Sequence, residues 1–204
     1  MILPKSFYEN NTLKVAQDLL GCFLVFLSGG KSSSANGAHA NECLNKYRIV
    51  ETEAYCGPHD LASHASRGET ERNKVMFGEA GIIYVYLIYG MYNMLNIVTE
   101  KNRYPAAVLI RALEPLPHPN LPLRKGKEFD LSGPGKLTKN LKIDRNFNSL
   151  EIYKKNYGLW IEEGEKIKSS QIKKVPRVGV DYAGEYKDKL WRFYIKDNKF
   201  VSKR

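Results

Sequence analysis

Gly81-Ile-Ile-Tyr-Val-Tyr-Leu-Ile-Tyr-Gly-Met-Tyr-Asn-Met-Leu-Asn-Ile-Val98 is the stretch on which the fold turns. Two runs rich in β-branched and aromatic side chains flank Gly90, which predicts a β-hairpin from Ile82 to Val98. Strand alternation puts Tyr84 and Tyr86 on one face, and the bend places Tyr89 or Met91 at the tip. Four tyrosines between positions 84 and 92 bring more hydroxyls than one core can satisfy, so part of this ribbon is expected in solvent. A two-stranded ribbon with a bulky tip can enter a nucleic-acid groove and wedge between base steps, at a cost of a few kcal/mol of unstacking.

Working outward, Asn11 or Thr12 can cap an amphipathic helix through Leu20, with Gly21 as its stop, and an apolar strand follows from Cys22 to Leu27. Residues 28–43, rich in Ser and Gly, read as a flexible loop insertion. Further strands are predicted at Arg48–Tyr55, Val108–Arg111, Leu150–Tyr153, Leu159–Glu162, Val175–Val180 and Trp191–Ile195. A Pro-rich connection at Pro115–Pro122 leads to a Gly-Pro-Gly turn that opens a short helix at Lys136–Leu141. Many strands and few helices, without regular βαβ alternation, predict an α+β fold. It is a single domain spanning residues 1–204, with a mixed or antiparallel curved sheet, a protruding β-hairpin and short surrounding helices.

The net charge of +10 is unevenly placed: residues 1–102 sum to −1 and residues 103–204 to +11. A basic face of that kind suits a polyanion. No apolar run is long enough to span a bilayer, and the N-terminus has no secretory signal, so an intracellular protein is expected: cytoplasmic or nucleoid in a bacterium, nuclear in a eukaryote. Cys22, Cys43 and Cys56 are odd in number and unsuitably spaced, and His39, His59, His64 and His118 form no ligand pair. Neither a structural disulfide nor a metal is expected.

In Arg48-Ile-Val-Glu-Thr-Glu-Ala-Tyr55, Glu51, Glu53 and Tyr55 share a strand face, the two carboxylates about 7 Å apart beside an aromatic ring. Alone, the pair reads more readily as exposed sheet carboxylates than as a site. Arg111 ends an apolar strand, where a guanidinium should be paired: it clamps a carboxylate for structure, or it holds a phosphate or water near Glu53. The Gly133-Pro-Gly-Lys136 turn can present backbone N–H groups and Lys136 to a phosphate, or be simply a tight turn.

Taken in order, Glu51-Thr-Glu-Ala-Tyr55, His64, Arg72-Asn73, Met76-Phe77, Tyr84-Val-Tyr86, Tyr89-Gly-Met91, Asn96, Leu109-Ile-Arg111-Ala-Leu-Glu-Pro115, Gly133-Pro-Gly-Lys-Leu137, Arg177-Val-Gly-Val180 and Arg192-Phe-Tyr194 resemble the alkyladenine (3-methyladenine) DNA glycosylase family. The resemblance runs from about residue 5 to the C-terminus. It implies a monofunctional glycosylase without cofactor, acting on double-stranded DNA that contains a damaged purine such as 3-methyladenine, 7-methylguanine or hypoxanthine; a monomer is the default expectation. By the same resemblance Glu53 is the base that activates water, helped by Arg111, while Tyr55, His64, Tyr86 and Asn96 form the base pocket. Tyr89 fills the gap in the stack, Tyr84 supports the pocket, and Arg72 and Lys136 meet phosphates. Glu69 and Glu71 stand where relatives commonly carry a basic residue and a proline, which weakens phosphate contact by that loop.

Three other readings share these residues. Two carboxylates also serve oligosaccharide cleavage, but a sugar hydrolase leaves the basic half and the tyrosine-tipped ribbon unexplained. The ribbon also suits a non-catalytic DNA-damage binder, and Lys136 or another lysine would suit a bifunctional lyase working through a Schiff base.

Overall fold

In the structure, a computed structural model that describes residues 1–28, 43–116 and 129–202, the chain begins with two short helices, α1 (Lys5–Tyr8) and α2 (Thr12–Asp18). Asn11 is the cap of α2: its side chain accepts the Leu13 N–H at 3.1 Å, covering a first-turn donor that the helix cannot satisfy itself. Gly21 then turns the chain at φ +87°, where an added Cβ would lie 2.1 Å from the Glu165 carbonyl oxygen.

Eight strands follow: β1 (Phe23–Ser28), β2 (Cys43–Cys56), β3 (Ile83–Ile88), β4 (Tyr92–Val98), β5 (Ala106–Pro115), β6 (Leu159–Glu162), β7 (Ile172–Val175) and β8 (Arg192–Ile195). They form one sheet in the order β3-β4-β5-β2-β1-β6, with β8 beside β2 and β7 beside β8, and every described pairing is antiparallel. The fold class is therefore α+β, and of the two sheet types expected the antiparallel one is found.

Strand β2 is the axis of the molecule. One edge pairs with β5 from Tyr47 to Cys56; the other pairs with β1 as far as Arg48, and with β8 from Glu51 to Glu53. The β2–β5 register breaks on both sides of Glu51, an irregularity of the kind that bends a strand and re-aims its side chains. Val50 and Ala54 face the main core, and Thr52 Oγ1 donates to the Ala16 carbonyl of α2 at 2.7 Å. The opposite face carries Glu51 and Glu53.

The hairpin forms as expected, from Ile83 opposite Ile97 to Ile88 opposite Tyr92. The Met91 N–H donates to the Ile88 carbonyl at 3.2 Å, closing a turn whose central residues Tyr89 and Gly90 have φ of 52° and 69°. This is the sign pattern that matches the twist of a tight hairpin. Tyr89 and Met91 at the tip are 83% and 67% exposed.

Two predicted strands are corrected. Residues 150–153 contribute a single bridge, Glu151 to Ile82, within a turn. The strand placed at Val175–Val180 instead runs Ile172–Val175, because Pro176 has no N–H to offer a ladder and Gly179 sits at φ +74°. Strand β2 starts at Cys43, earlier than expected, and α1 was not anticipated. The predicted helix at Lys136–Leu141 is α3 (Pro134–Leu141), with proline in its first turn. The loop insertion expected at 28–43 lies, between those two strand residues, outside the described residues, as does most of the Pro-rich connection.

Candidate active site

In the sheet, the carboxylate-bearing stretch of β2 is flanked by β5 on one edge and β8 on the other, and Val178 and Ser202 bond to the carboxylates themselves. Glu51 and Glu53 are both 0% exposed. Four donors meet Glu51: Arg111 Nε at 3.1 Å, Arg192 Nη1 at 3.0 Å, and the Ser202 N–H and Oγ at 2.6 and 3.0 Å. Three meet Glu53: the Val178 N–H at 2.8 Å on Oε1, with the Tyr55 hydroxyl at 3.0 Å and Arg111 Nη1 at 3.2 Å on Oε2. Two carboxylates and two guanidiniums thus share one buried cluster whose formal charges cancel, the condition under which buried ions are tolerated. Burial works against the charge on Arg111, but Glu53 and then Glu51 outweigh it and hold the guanidinium protonated.

Tyr55, Arg111 and Val178 also line a cavity of about 150 Å³ that opens on this side of the sheet. Its other walls include Tyr84, Tyr86 and Asn96 from the hairpin, Ala62, Ser63 and His64 from the segment after β2, Pro134 at the start of α3, and Gly179, Val180 and Tyr182. The pocket sits where two small apolar clusters meet: one of Met76, Tyr84, Val98 and Ala107, the other of Ala62, Val180 and Ala183 with Tyr55 against it.

The aromatic wall is tightly interlocked. The His64 ring packs edge-on to Tyr86 with centroids 4.4 Å apart, Tyr84 and Tyr86 lie 5.2 Å apart, and His64 Nδ1 is 3.1 Å from the Tyr84 hydroxyl. Burial, helped by the charge of Arg72, lowers His64 to about 4, so the imidazole is neutral at physiological pH. Burial pushes Tyr84 up to about 12 and raises Tyr86 and Tyr55 well above the ordinary phenol value, the Glu53 carboxylate adding to the effect on Tyr55, so all three remain phenols. The Asn96 amide donates to the Tyr84 and Met94 carbonyls at 3.3 and 3.1 Å, which fixes it in the hairpin wall.

Arg111, Tyr55, His64, Tyr86 and Asn96 thus line one pocket, and Glu53 lies buried behind its wall, bonded to Tyr55, Arg111 and Val178. Arg72 lies beside it, its guanidinium 5.4 Å from the Tyr86 ring centre and donating to the Leu87 carbonyl at 2.7 Å. Tyr89 stands apart at the hairpin tip, and Lys136 pairs with Asp130 at 2.7 Å in an exposed position. Glu71 pairs with Lys74 at 2.8 Å, also in solvent. Cys22 and Cys56 are buried free thiols, and among the described residues no three His, Cys, Asp or Glu side chains gather as metal ligands.

Residues 6–199 match the family described as methylpurine-DNA glycosylase. The chain belongs to that family. It is accordingly a DNA glycosylase, a hydrolase of N-glycosyl bonds. Similar proteins include one from Methanocella arvoryzae, 48% identical over all of this chain and 96% of its own length. One from Legionella pneumophila strain Corby is 45% identical over 98% of each chain, and one from Bdellovibrio bacteriovorus is 45% identical over the whole of both. All three carry the provisional name 3-methyladenine DNA glycosylase.

Several residues of this candidate site have no single-residue signal in the sequence. Val178 enters through its backbone N–H, which any residue but proline supplies. Ser202 reaches Glu51 from the chain end, 151 positions away. Asp60 and Tyr182 sit in loops where composition says nothing of direction.

Proposed function

We propose that this glycosylase extrudes an alkylated or deaminated purine from duplex DNA into the Tyr55–His64–Tyr86 pocket and hydrolyses its glycosidic bond with water activated by Glu53. One observation carries the reading: a fully buried carboxylate whose three donors all belong to the wall of one aromatic pocket. A carboxylate offers about four lone-pair directions, and three are taken, which leaves one for the proton of an attacking water. With Oε2 held by Tyr55 and Arg111 and Oε1 by Val178, that water has a defined place. General-base help of this kind contributes about 10²–10⁴-fold, and the negative charge also offsets the positive charge that develops on the sugar.

The pocket chemistry suits the substrate class. A purine alkylated at N3 or N7 is a cation and already a good leaving group; tyrosine faces attract it by about 0.5–2 kcal/mol, and a neutral His64 does not repel it. Asn96, whose amide is held by the Tyr84 and Met94 carbonyls, excludes normal guanine by collision with its exocyclic amino group on this reading. Extrusion costs least for a damaged or mispaired base, which filters substrates before chemistry. Tyr89, exposed on the protruding turn, fills the vacated stack, while Lys136, Arg72 and the basic second half of the chain hold phosphates. For phosphate contact Lys136 must leave Asp130. The protein acts as a monomer.

The test is single-turnover base release, read as alkali-labile strand cleavage, on duplexes each bearing one defined lesion. Glu53→Gln is expected to slow release by about 10² or more while lesion-duplex binding survives. Unchanged release by that variant would remove Glu53 as the base.

A further inference from the structure

Arg177 lies outside the pocket and outside every role assigned above, yet its side chain is completely buried, as is that of Asp60. The two form a bidentate pair at 2.6 and 2.8 Å, and the Asp60 oxygens also accept the Cys56 and Ala62 N–H groups, each at 3.1 Å. Arg177 Nη1 further donates to the Ala54 carbonyl at 3.0 Å, on the residue between Glu53 and Tyr55. The guanidinium is stacked between two rings, 4.8 Å from the centre of Tyr55 and 5.0 Å from that of Trp191.

These contacts converge on Glu53 from both sides. Tyr55, whose ring rests on the guanidinium, donates its hydroxyl to Oε2; Val178, the next residue along the chain from Arg177, donates its N–H to Oε1. A single planar cation therefore fixes the ring that holds one oxygen and the peptide that holds the other. It also ties the segment that supplies Val178, Gly179 and Val180 of the pocket wall to the loop that supplies Ala62 and Ser63.

We propose that Arg177, held by Asp60, is a positioning residue of the glycosylase reaction, setting the Tyr55 hydroxyl and the Val178 N–H on the two oxygens of Glu53. The inference rests on the reading of Glu53 as the base. A scaffold pair that served only folding would need neither the stack on Tyr55 nor adjacency to the peptide that holds the carboxylate. Lysine cannot replace this residue, because one ammonium lacks the planar fork that grips both Asp60 oxygens and fills the space between two rings.

The experiment measures single-turnover release of 7-methylguanine from a duplex, alongside affinity for a duplex bearing an abasic-site analogue. Arg177→Lys is expected to slow release by about 10–100-fold per folded molecule while affinity changes by less than about 3-fold, the pattern of lost orientation and not of lost binding. In the Glu53→Gln background the same change is expected to add less than about 2-fold, since the group it positions is gone. Should Arg177→Lys fail to fold, Asp60→Asn is read in the same way, with a smaller loss expected in the same direction. Release that merely tracks the folded fraction, or losses that multiply in the double variant, would overturn the positioning role. If instead Glu53→Gln leaves release untouched, it is the assignment of Glu53 that fails, whatever Arg177 does.

Discussion

Replacing Glu51 with Gln separates the two carboxylates of β2 by what each is for. Glu51 is 0% exposed and meets four donors, of which the two on Oε1 from Arg111 and Arg192 are charged. A glutamine oxygen can keep those contacts, but its NH₂ must then face the Ser202 N–H, which sits 2.6 Å from Oε2. Donor meets donor, and one formal negative charge vanishes from a cluster that holds two of each sign. Breaking a buried pair from one side costs about 3–5 kcal/mol, because the surviving guanidinium stays buried without its partner. For a chain of this length each kcal/mol moves the midpoint by about 2–4 °C, so Glu51→Gln is expected to lower Tm by about 6–20 °C. The chain end should release first, since Ser202 is its tether to the cluster. Calorimetry measures the midpoint, and hydrogen exchange at residues 200–202 reads the release. Base release per folded molecule, at a temperature where the variant is intact, should fall far less than in Glu53→Gln. A Tm within about 2 °C of the parent, joined to loss of base release, would refute the reasoning and make Glu51 a chemical group.

Tyr89→Gly is expected to leave stability within about 1 kcal/mol, since relief of the positive φ offsets the freedom that glycine adds to the unfolded chain. It should weaken lesion-duplex binding in a gel-shift titration; a large drop in Tm would instead mean that the exposed tip supports the fold. His64 is expected to titrate by NMR near 4, against an ordinary 6.5. Because the unfolded chain takes up the proton first, the contribution is fully present above about pH 6.5 and is lost as pH falls toward about 4. A midpoint near 6.5 would show that neither burial nor Arg72 acts on the ring.

Local pattern made most of the fold legible. The hairpin, the α2 cap and the sheet-rich class follow from residue chemistry within a few positions, and all three are present. The failures came where tertiary partners decide. Residues 150–153 look apolar enough for a strand but find only one bridge, and at 175–180 the apolar valines outweighed the Pro176 and Gly179 signals that in fact end the strand. Of the site, the residues that the ordered resemblance assigns to the base pocket gathered at one cavity, whereas Tyr89 and Lys136 stand apart from it. Those acting through a backbone N–H or from the far end of the chain did not announce themselves, because nothing in a sequence marks which peptide will face a carboxylate 125 residues away.

Alternation alone predicted that Glu51 and Glu53 share a face, but it gave them equal standing, and the structure does not. The break in register at Glu51 lets Arg111 serve both carboxylates with different atoms, Nε toward Glu51 and Nη1 toward Glu53. A lone guanidinium between two anions would leave one of them short of charge. Arg192, arriving on β8 directly opposite Glu53 in register yet bonded to Glu51, supplies the missing cation. Glu51 thereby meets four donors, as many as a carboxylate has lone-pair directions, while Glu53, equally buried behind the pocket wall, meets three. On the proposed reading of Glu53 as the base, β8 and Ser202 serve it by satisfying its neighbour: Arg192 and Ser202 both bond Glu51, and the Ser202 hydroxyl also lies 3.4 Å from Nη2 of Arg111 in the pocket wall.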